Sequence, residues 1–239
     1  MSLCTLNKSN HLLRALPPVE SERWQSELEM VDLKLGQVLY ESSCKQQYAY
    51  LPIDSIVSLL YVLENGGSTA LAAVGNEGLV GVSLFMGGET TPSSAVVQSA
   101  GKCLRVSSRF LKVEFSQSLP VLHLLLRYTQ ALLTQTTQTA VCNRHHTLDQ
   151  QLCRFLLHSM DRLGSRHLLM TQELIANMLG VRREGVTEAA GRLQEAGVIR
   201  YARGKIEILD RQGLEKRSCE CYSVVKVEYD RLLPDLIAV

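Results

Sequence analysis

The chain has no uninterrupted apolar run near the ~18 residues that a membrane span needs. The nearest candidate, Leu51 to Leu63, is interrupted by Asp54, so no membrane partner is expected. No secretory leader is expected either: the N-terminus has no apolar core and carries Asn7, Lys8 and Asn10 early. The seven cysteines are odd in number and share no framework spacing, which argues against a disulfide scaffold. A reducing cytoplasm is the expected location. Cys219-Glu-Cys221 is the only close pair. It reads as structural thiols, with a two-ligand metal half-site as the alternative, and no metal ligand is assigned. Catalytic signatures are also missing: there is no Gly-x-Ser-x-Gly elbow, no phosphate-loop Gly-Lys-Ser/Thr and no His-Glu-x-x-His. Gly81-Val-Ser83 runs into Leu84-Phe85 without the second glycine. The chain is therefore not expected to be an enzyme. No internal repeat or low-complexity tract is visible.

What is present is ordinary globular composition, 46% hydrophobic and 21% charged over 239 residues, enough for one or two domains. The net charge of +1 hides an asymmetry. Residues 1–149 hold 11 Lys/Arg against 12 Asp/Glu, whereas residues 150–218 hold 12 against 8. The second segment therefore carries the positive footprint that a phosphate-binding region needs.

Val19 to Val31 reads as a short helix. From Leu33 to about Val106 the texture changes. Apolar runs at Gln37–Tyr40, Tyr48–Leu51, Ser55–Leu63, Ala70–Val74, Ser94–Ser99 and Lys102–Val106 alternate with Gly, Pro, Ser and Asn. That pattern predicts a small antiparallel sandwich or barrel, with Asn65-Gly66-Gly67 as a hairpin turn.

Leu119 to Asn143 predicts a long helix. Leu122, Leu126, Thr129, Leu133, Thr136, Ala140 and Asn143 recur in alternating steps of four and three, a heptad seam suited to pairing with a second copy of the chain. Only Arg127 and Arg144 carry charge between Glu114 and Asp149, so much of this helix must be covered. Thr147 can cap a following helix that Gly164 ends. Leu168–Met170 reads as a strand, Asp210 to Ser218 as an amphipathic helix, and 224–239 as a tail.

The densest signal is Gln172 to Gly191. Ile175 and Ala176 face inward on a first helix, Leu179-Gly180-Val181 form a turn, and Val186 and Ala189 bring a second helix back. Arg182, Arg183, Glu184, Thr187 and Glu188 are left outward near the start of that second helix, where base edges are usually read. Val198 to Leu209 follows as two β-rich runs around Arg203-Gly204, a tight turn. A helix-turn-helix followed by a hairpin is a winged helix. Thr171, Arg200, Arg203 and Lys205 are the expected phosphate contacts, and double-stranded DNA the expected partner.

A β-roll, a long dimer helix and a winged helix-turn-helix together resemble the Crp/Fnr family of bacterial transcription regulators, most clearly from Leu148 to Tyr222. The resemblance implies an α+β chain with a jelly-roll-like sensor domain over 1–118, a dimerisation helix and hinge over 119–145, and a DNA-binding domain with a tail over 146–239. It implies a cytoplasmic homodimer on a near-palindromic operator, with RNA polymerase as a further partner. Arg183-Glu184 match the family's base-reading pair. The alternative is a ligand-binding or interaction module that no longer reads DNA specifically.

The resemblance also places an effector pocket at Gly81, Val82, Ser93, Ser94, Thr136 and Thr137. Cyclic-nucleotide-binding members carry Gly-Glu and Arg-Ser in this cassette. Here Val82 stands for the glutamate, and Ser93-Ser94 fall where Arg-Ser is expected, so cyclic AMP is not the expected effector. The cofactor is unassigned. Only Cys4 lies near the N-terminus, which disfavours an iron–sulfur centre. His11, His123, His145 and His146 offer haem ligands by residue type alone.

Overall fold

The computed structural model describes residues 10–64 and 67–233. The runs between Leu33 and Val106 pair as two antiparallel sheets. Strands β1 (Glu29–Leu33), β7 (Gly101–Ser107) and β3 (Tyr48–Pro52) form one, in the order β1-β7-β3. Strands β2 (Val38–Tyr40), β6 (Ser94–Ser99), β4 (Ile56–Val62) and β5 (Ser68–Val74) form the other, in the order β2-β6-β4-β5. Period-two alternation sets the inner face: on β3, Ala49 and Leu51 are buried while Tyr48 and Tyr50 are half-buried. Val57, Ala72, Val74, Val97, Leu104 and Val106 complete a shared core. Strands β4 and β5 are a hairpin, with Val62 opposite Ser68; the expected turn residues Asn65 and Gly66 lie outside the described residues.

The helix expected over 19–31 ends earlier. Helix α1 (His11–Arg14) is capped by the Asn10 side chain, and α2 runs Pro18–Glu27. Met30 and Val31 fall in β1, because Glu29–Leu33 pairs residue by residue with Arg105–Gly101. Ladder hydrogen bonds and burial outweigh a weak helical preference there.

Helix α3 (Ser108–Gln117) leads into α4 (Leu119–His145), 27 residues and ~40 Å long. Val121, Leu124, Leu125, Tyr128, Ala131 and Leu132 seal one face of α4 onto the β-roll core. The Tyr128 hydroxyl donates to the Leu79 carbonyl at 2.7 Å. The opposite face leaves Leu119, Leu126, Leu133 and Val141 exposed. Thr129 departs from the expected seam: it is buried within its own chain and its hydroxyl bonds the Leu125 carbonyl. At 100° per residue it sits about 60° round from Leu126, and Thr136 about 80°, both towards the body. The open stripe is therefore Leu119, Leu122, Leu126, Leu133, Thr137 and Ala140.

Helix α5 (Leu148–Leu163) opens with a Thr147–Gln150 capping box and closes at Gly164, φ +59°. Strand β8 (His167–Leu169), α6 (Gln172–Leu179), α7 (Arg183–Glu195), β9 (Ile199–Ala202), β10 (Lys205–Ile208) and α8 (Arg211–Arg217) follow. Leu152, Leu156, Leu157, Ile175, Val186, Ala189, Leu193, Ile206 and Leu214 make a second core. Each fully buried leucine there contributes roughly 1.5–3 kcal/mol.

The segment read as a tail is not one over its described part. Cys221–Leu232 is a helix, α9, whose Val225, Tyr229, Leu232 and the following Leu233 join the core of the β-roll and α4 rather than that of the helix-turn-helix. Their four-three spacing is the amphipathic stripe that makes this docking possible.

Candidate nucleic-acid interface

Helix α6 begins at Thr171, whose hydroxyl accepts from Leu174 N–H at 3.1 Å. It ends at Gly180, φ +67°, a left-handed C-cap that turns the chain into α7. A Cβ at Gly180 would lie 2.9 Å from the Thr69 hydroxyl on β5, so the turn also docks against the β-roll. Ala176 and Ala189 are buried, and their small side chains fit the close crossing of the two helices.

The burial of Val186, Ala189, Ala190 and Leu193 fixes which face of α7 remains outside. Arg182, at the N-cap, and Arg183, Glu184, Thr187 and Glu188 are all on the open side. The Thr187 hydroxyl is engaged internally, donating to Gln172 Oε1 at 2.9 Å and close to the Arg183 carbonyl at 3.0 Å. It ties the two helices together. Glu188 lies close enough to Arg192 to support that guanidinium, whose main partner is Asp149.

The wing forms where expected. Ala202 pairs with Lys205, and both intervening residues have positive φ, Arg203 at +50° and Gly204 at +76°. That is the two-residue turn whose twist suits a hairpin. The Tyr201 hydroxyl donates to the Met170 carbonyl at 2.9 Å and pins the wing beside the start of α6. Thr171, Gln172, Glu173, Arg183, Tyr201, Arg203 and Gly204 then line one cleft of about 460 Å³. Cations of α7 and the wing thus share a face with the N-terminal end of α6, where N–H groups favour an anion. Arg200 differs: its guanidinium pairs with Glu207 at 2.7 Å on the neighbouring strand. Sequence reasoning missed Gln172 and Tyr201, which support this face without adding charge.

The residues expected to line an effector pocket fall into two groups. Gly81 (φ +117°) caps a short 3₁₀ turn, Val82–Leu84. Val82 packs against the core. The Ser83 hydroxyl donates to Gln46 Oε1 at 2.9 Å, and Ser93 meets Thr91 at 3.1 Å. Burial pushes the Tyr40 phenol up to about 12. Ser83, beside Gly81 and Val82, and Ser93 are therefore each paired with another of the chain's own polar side chains. Ser94 is buried on β6, and Thr136 and Thr137 return their hydroxyls to the Leu132 and Leu133 carbonyls.

A second polar centre joins four elements. Arg162 Nε meets Glu77 Oε1 at 2.7 Å, and its Nη2 donates to Gln135 Oε1 at 3.1 Å. The Tyr229 hydroxyl reaches the same Gln135 oxygen. A Cβ at Gly75 would fall 2.7 Å from the Arg162 side chain, so glycine is needed for this approach.

His158 faces a cavity of about 400 Å³ beside this centre, with Glu77, Asp161, Arg162, Arg211, Lys226, Asp230 and Tyr229 also on its wall. Its ring tilts against Tyr222, and its Nε2 has no hydrogen-bond partner. Burial first, then Arg162 and Arg154, hold its pKa well below 6.5. The unfolded chain therefore takes up the proton that the folded chain refuses. Stability is full above about pH 6.5 and falls below it by about 1.4 kcal/mol per pH unit until the folded histidine titrates. His11, also depressed by burial, adds in the same direction. Urea titrations between pH 7.5 and pH 5.5 are expected to show this slope and to lose part of it in His158→Phe; an unchanged slope would remove His158 as its source.

Metal ligands were not expected, but Cys142, His146, Cys219 and Cys221 converge at the end of α4. Cys219-Glu-Cys221 is the half-site alternative read from the sequence, and the Cys142-x₃-His146 spacing was the missed signal. Of the other haem candidates, His123 and His145 lie on the outer side of α4 and His11 lies against Asn76. Cys4 falls outside the described residues.

Comparison with known proteins agrees with this geometry. Residues 150–217 match the Crp-like helix-turn-helix domain. No curated relative matches the chain in sequence. A Crp/Fnr-family transcriptional regulator from Eubacterium rectale superposes with a TM-score of 0.64 at 20% identity, covering 86% of this chain and 96% of that one. A Crp-family regulator from Thermus thermophilus gives 0.67 at 18%, covering 79% and 96%. A second Crp/Fnr-family regulator from the same organism gives 0.61 at 24%, covering 80% and 98%. Residues 150–217 belong to the Crp-like helix-turn-helix domain family, on a chain with the fold of the Crp/Fnr transcription regulators.

Proposed function

We propose that this chain is a homodimeric, sequence-specific DNA-binding transcription regulator with a β-roll sensor over 1–118, a dimer helix and hinge over 119–145 and a DNA-binding region from 146 onward. The observation that carries the reading is the single cationic face shared by Arg183 on α7 and Arg203 on the wing around one cleft. Arg183 can donate its fork to guanine O6 and N7, and Glu184 can accept from cytosine N4. Arg182 and Glu188 flank them. Thr171, Arg203 and Lys205 contact phosphate, and Arg200 joins them only if it leaves Glu207. The two-fold axis along α4 mirrors a near-palindromic operator with half-sites ~34 Å apart. RNA polymerase is the further partner, and the cytoplasm the place of action. Among the described residues no helix is long and apolar enough to cross a membrane.

Arg183→Ala is expected to cost about 1–3 kcal/mol on the specific site and to relax preference at one base position. Arg203→Ala should weaken specific and random DNA alike, because phosphate carries no sequence. Competitive titrations against both DNAs at fixed salt separate the two, and an unchanged specificity ratio in Arg183→Ala would show that the reading face lies elsewhere.

The effector is something less anionic than a cyclic nucleotide, or the sensor works without one. Val82 supplies no ribose acceptor, Ser93 supplies no phosphate cation, and the Ser83–Gln46 and Thr91–Ser93 pairs occupy the same surroundings. Titration calorimetry with cyclic AMP is expected to give no heat at micromolar ligand. Micromolar binding that raises DNA affinity would overturn this part.

A further inference from the structure

Four side chains that the DNA-reading machinery does not use meet at the junction of three elements. Cys142 lies in the last turn of α4, and His146 is its C-cap. Cys219 sits between α8 and α9, and Cys221 is the first residue of α9. Their ligand atoms all lie within 4.8 Å of one another. Cys142 Sγ is 3.5 Å from Cys219 Sγ, and Cys221 Sγ is 3.6 Å from His146 Nδ1. A tetrahedron with Zn–S of about 2.3 Å and Zn–N of about 2.0–2.1 Å has edges of ~3.5–3.8 Å. The two measured separations are edges of that size, before any ion draws the ligands together. The three cysteines are buried as a cluster apart from both large cores, and none is in a disulfide.

The surroundings also suit a cation. With Nδ1 turned to the thiols, His146 Nε2 lies 3.3 Å from the Glu220 carboxylate. That is the outer partner which fixes the ring and tautomer of a metal-bound histidine. Gln151 holds the backbone beneath the site, donating to the carbonyls of Cys142 and His146. Buried Arg154 acts electrostatically on both Cys142 and Cys221, and its Nε has no hydrogen-bond partner. Three thiolates, a neutral imidazole and a divalent ion carry one net negative charge, which Arg154 offsets.

We propose that Cys142, His146, Cys219 and Cys221 form a structural Zn²⁺ site that clamps the end of the dimer helix to the start of α9. Binding forms three Zn–S bonds and one Zn–N bond, and the three thiol protons leave to solvent; nothing is oxidised or reduced. The clamp lies at the α4–α5 hinge, so it holds the DNA-binding region at a set angle to α4. Only this last consequence rests on the proposed function.

The test is metal analysis of the full-length, untagged protein grown with zinc and purified under reductant. About one Zn²⁺ per chain is expected, falling below about 0.1 in Cys142→Ser and Cys221→Ser and staying near one in the exposed-thiol control Cys44→Ser. Where a serine variant fails to fold, the wild type decides. Organomercurial titration should release one zinc, and replacement by Co²⁺ should give the intense visible bands of a tetrahedral thiolate site. Glu220→Gln should lower zinc affinity on the order of tenfold while leaving DNA-contacting residues intact. Folded wild type that stays metal-free after zinc loading, zinc retained equally in Cys142→Ser, or a Cys142–Cys219 disulfide in the reduced preparation would each overturn the site. Zinc binding without any DNA binding would leave the site standing and remove the proposed function instead.

Discussion

In the proposed homodimer, Leu133→Asp is expected to convert dimer to monomer and to cost most of the affinity for a two-half-site operator. Leu133 is 63% exposed and Leu126 45% exposed on one stripe of α4, so neither holds the single chain together. Isolated apolar residues at a surface are common, but an aligned row of Leu119, Leu126 and Leu133 on a nearly uncharged helix marks an interaction surface. Across a two-fold axis the substitution buries two unpaired carboxylates against each other. At several kcal/mol for the pair, the dimer dissociation constant should rise about a thousandfold or more. The folded monomer should keep the wild-type thermal transition of its β-roll, because the substituted side chain points away from that core. Analytical ultracentrifugation at micromolar concentration is the measurement. An unchanged sedimentation coefficient for Leu133→Asp and Leu126→Asp together would mean that copies of the chain meet elsewhere or not at all.

Local rules made much of the DNA-facing half legible. The Thr147 cap, the Gly164 stop, the turn at Gly180 and the Arg203-Gly204 turn each rest on chemistry within four residues, and each forms as read. The long helix was legible from its scarcity of charge. What stayed hidden depends on partners distant in sequence. β1 exists because Glu29–Leu33 finds β7 some seventy residues on, and propensity alone gives no sign of that pairing. Thr129 belongs to a heptad pattern, yet straight-helix geometry turns it towards the body. Arg200 looks like a wing cation until Glu207 appears opposite it on the next strand. Of the cysteine cluster the sequence marks only the Cys219-Glu-Cys221 pair, as structural thiols with a metal half-site as the alternative. Cys142 and Cys219 are 77 positions apart, and only the return of α9 to the end of α4 brings them to 3.5 Å.

The contact whose loss should cost the most stability also joins distant segments, the turn after β5 and α5. Glu77→Ala is expected to destabilise the chain by about 3–5 kcal/mol, the usual result of removing one partner from a buried ion pair. The Arg162 and Glu77 side chains are only 9% and 14% exposed, so water entering from the neighbouring cavity replaces the missing carboxylate only in part. Arg162 would keep Gln135 as its one remaining polar partner among those described, and Gln135 is already engaged by Tyr229 and by the Ala73 carbonyl. The centre ties the turn after β5 to α4, α5 and α9, so its failure loosens the DNA-binding region from the β-roll. For a chain of this size the loss corresponds to a fall in melting temperature of roughly 10 °C. The double substitution Glu77→Met with Arg162→Met should recover most of it, because the cost lies in stranding one charge rather than in losing an attraction. Calorimetry on the two variants distinguishes the cases. A Glu77→Ala protein that melts with the wild type would show that Arg162 reaches water in solution and that α5 is not held against the turn after β5.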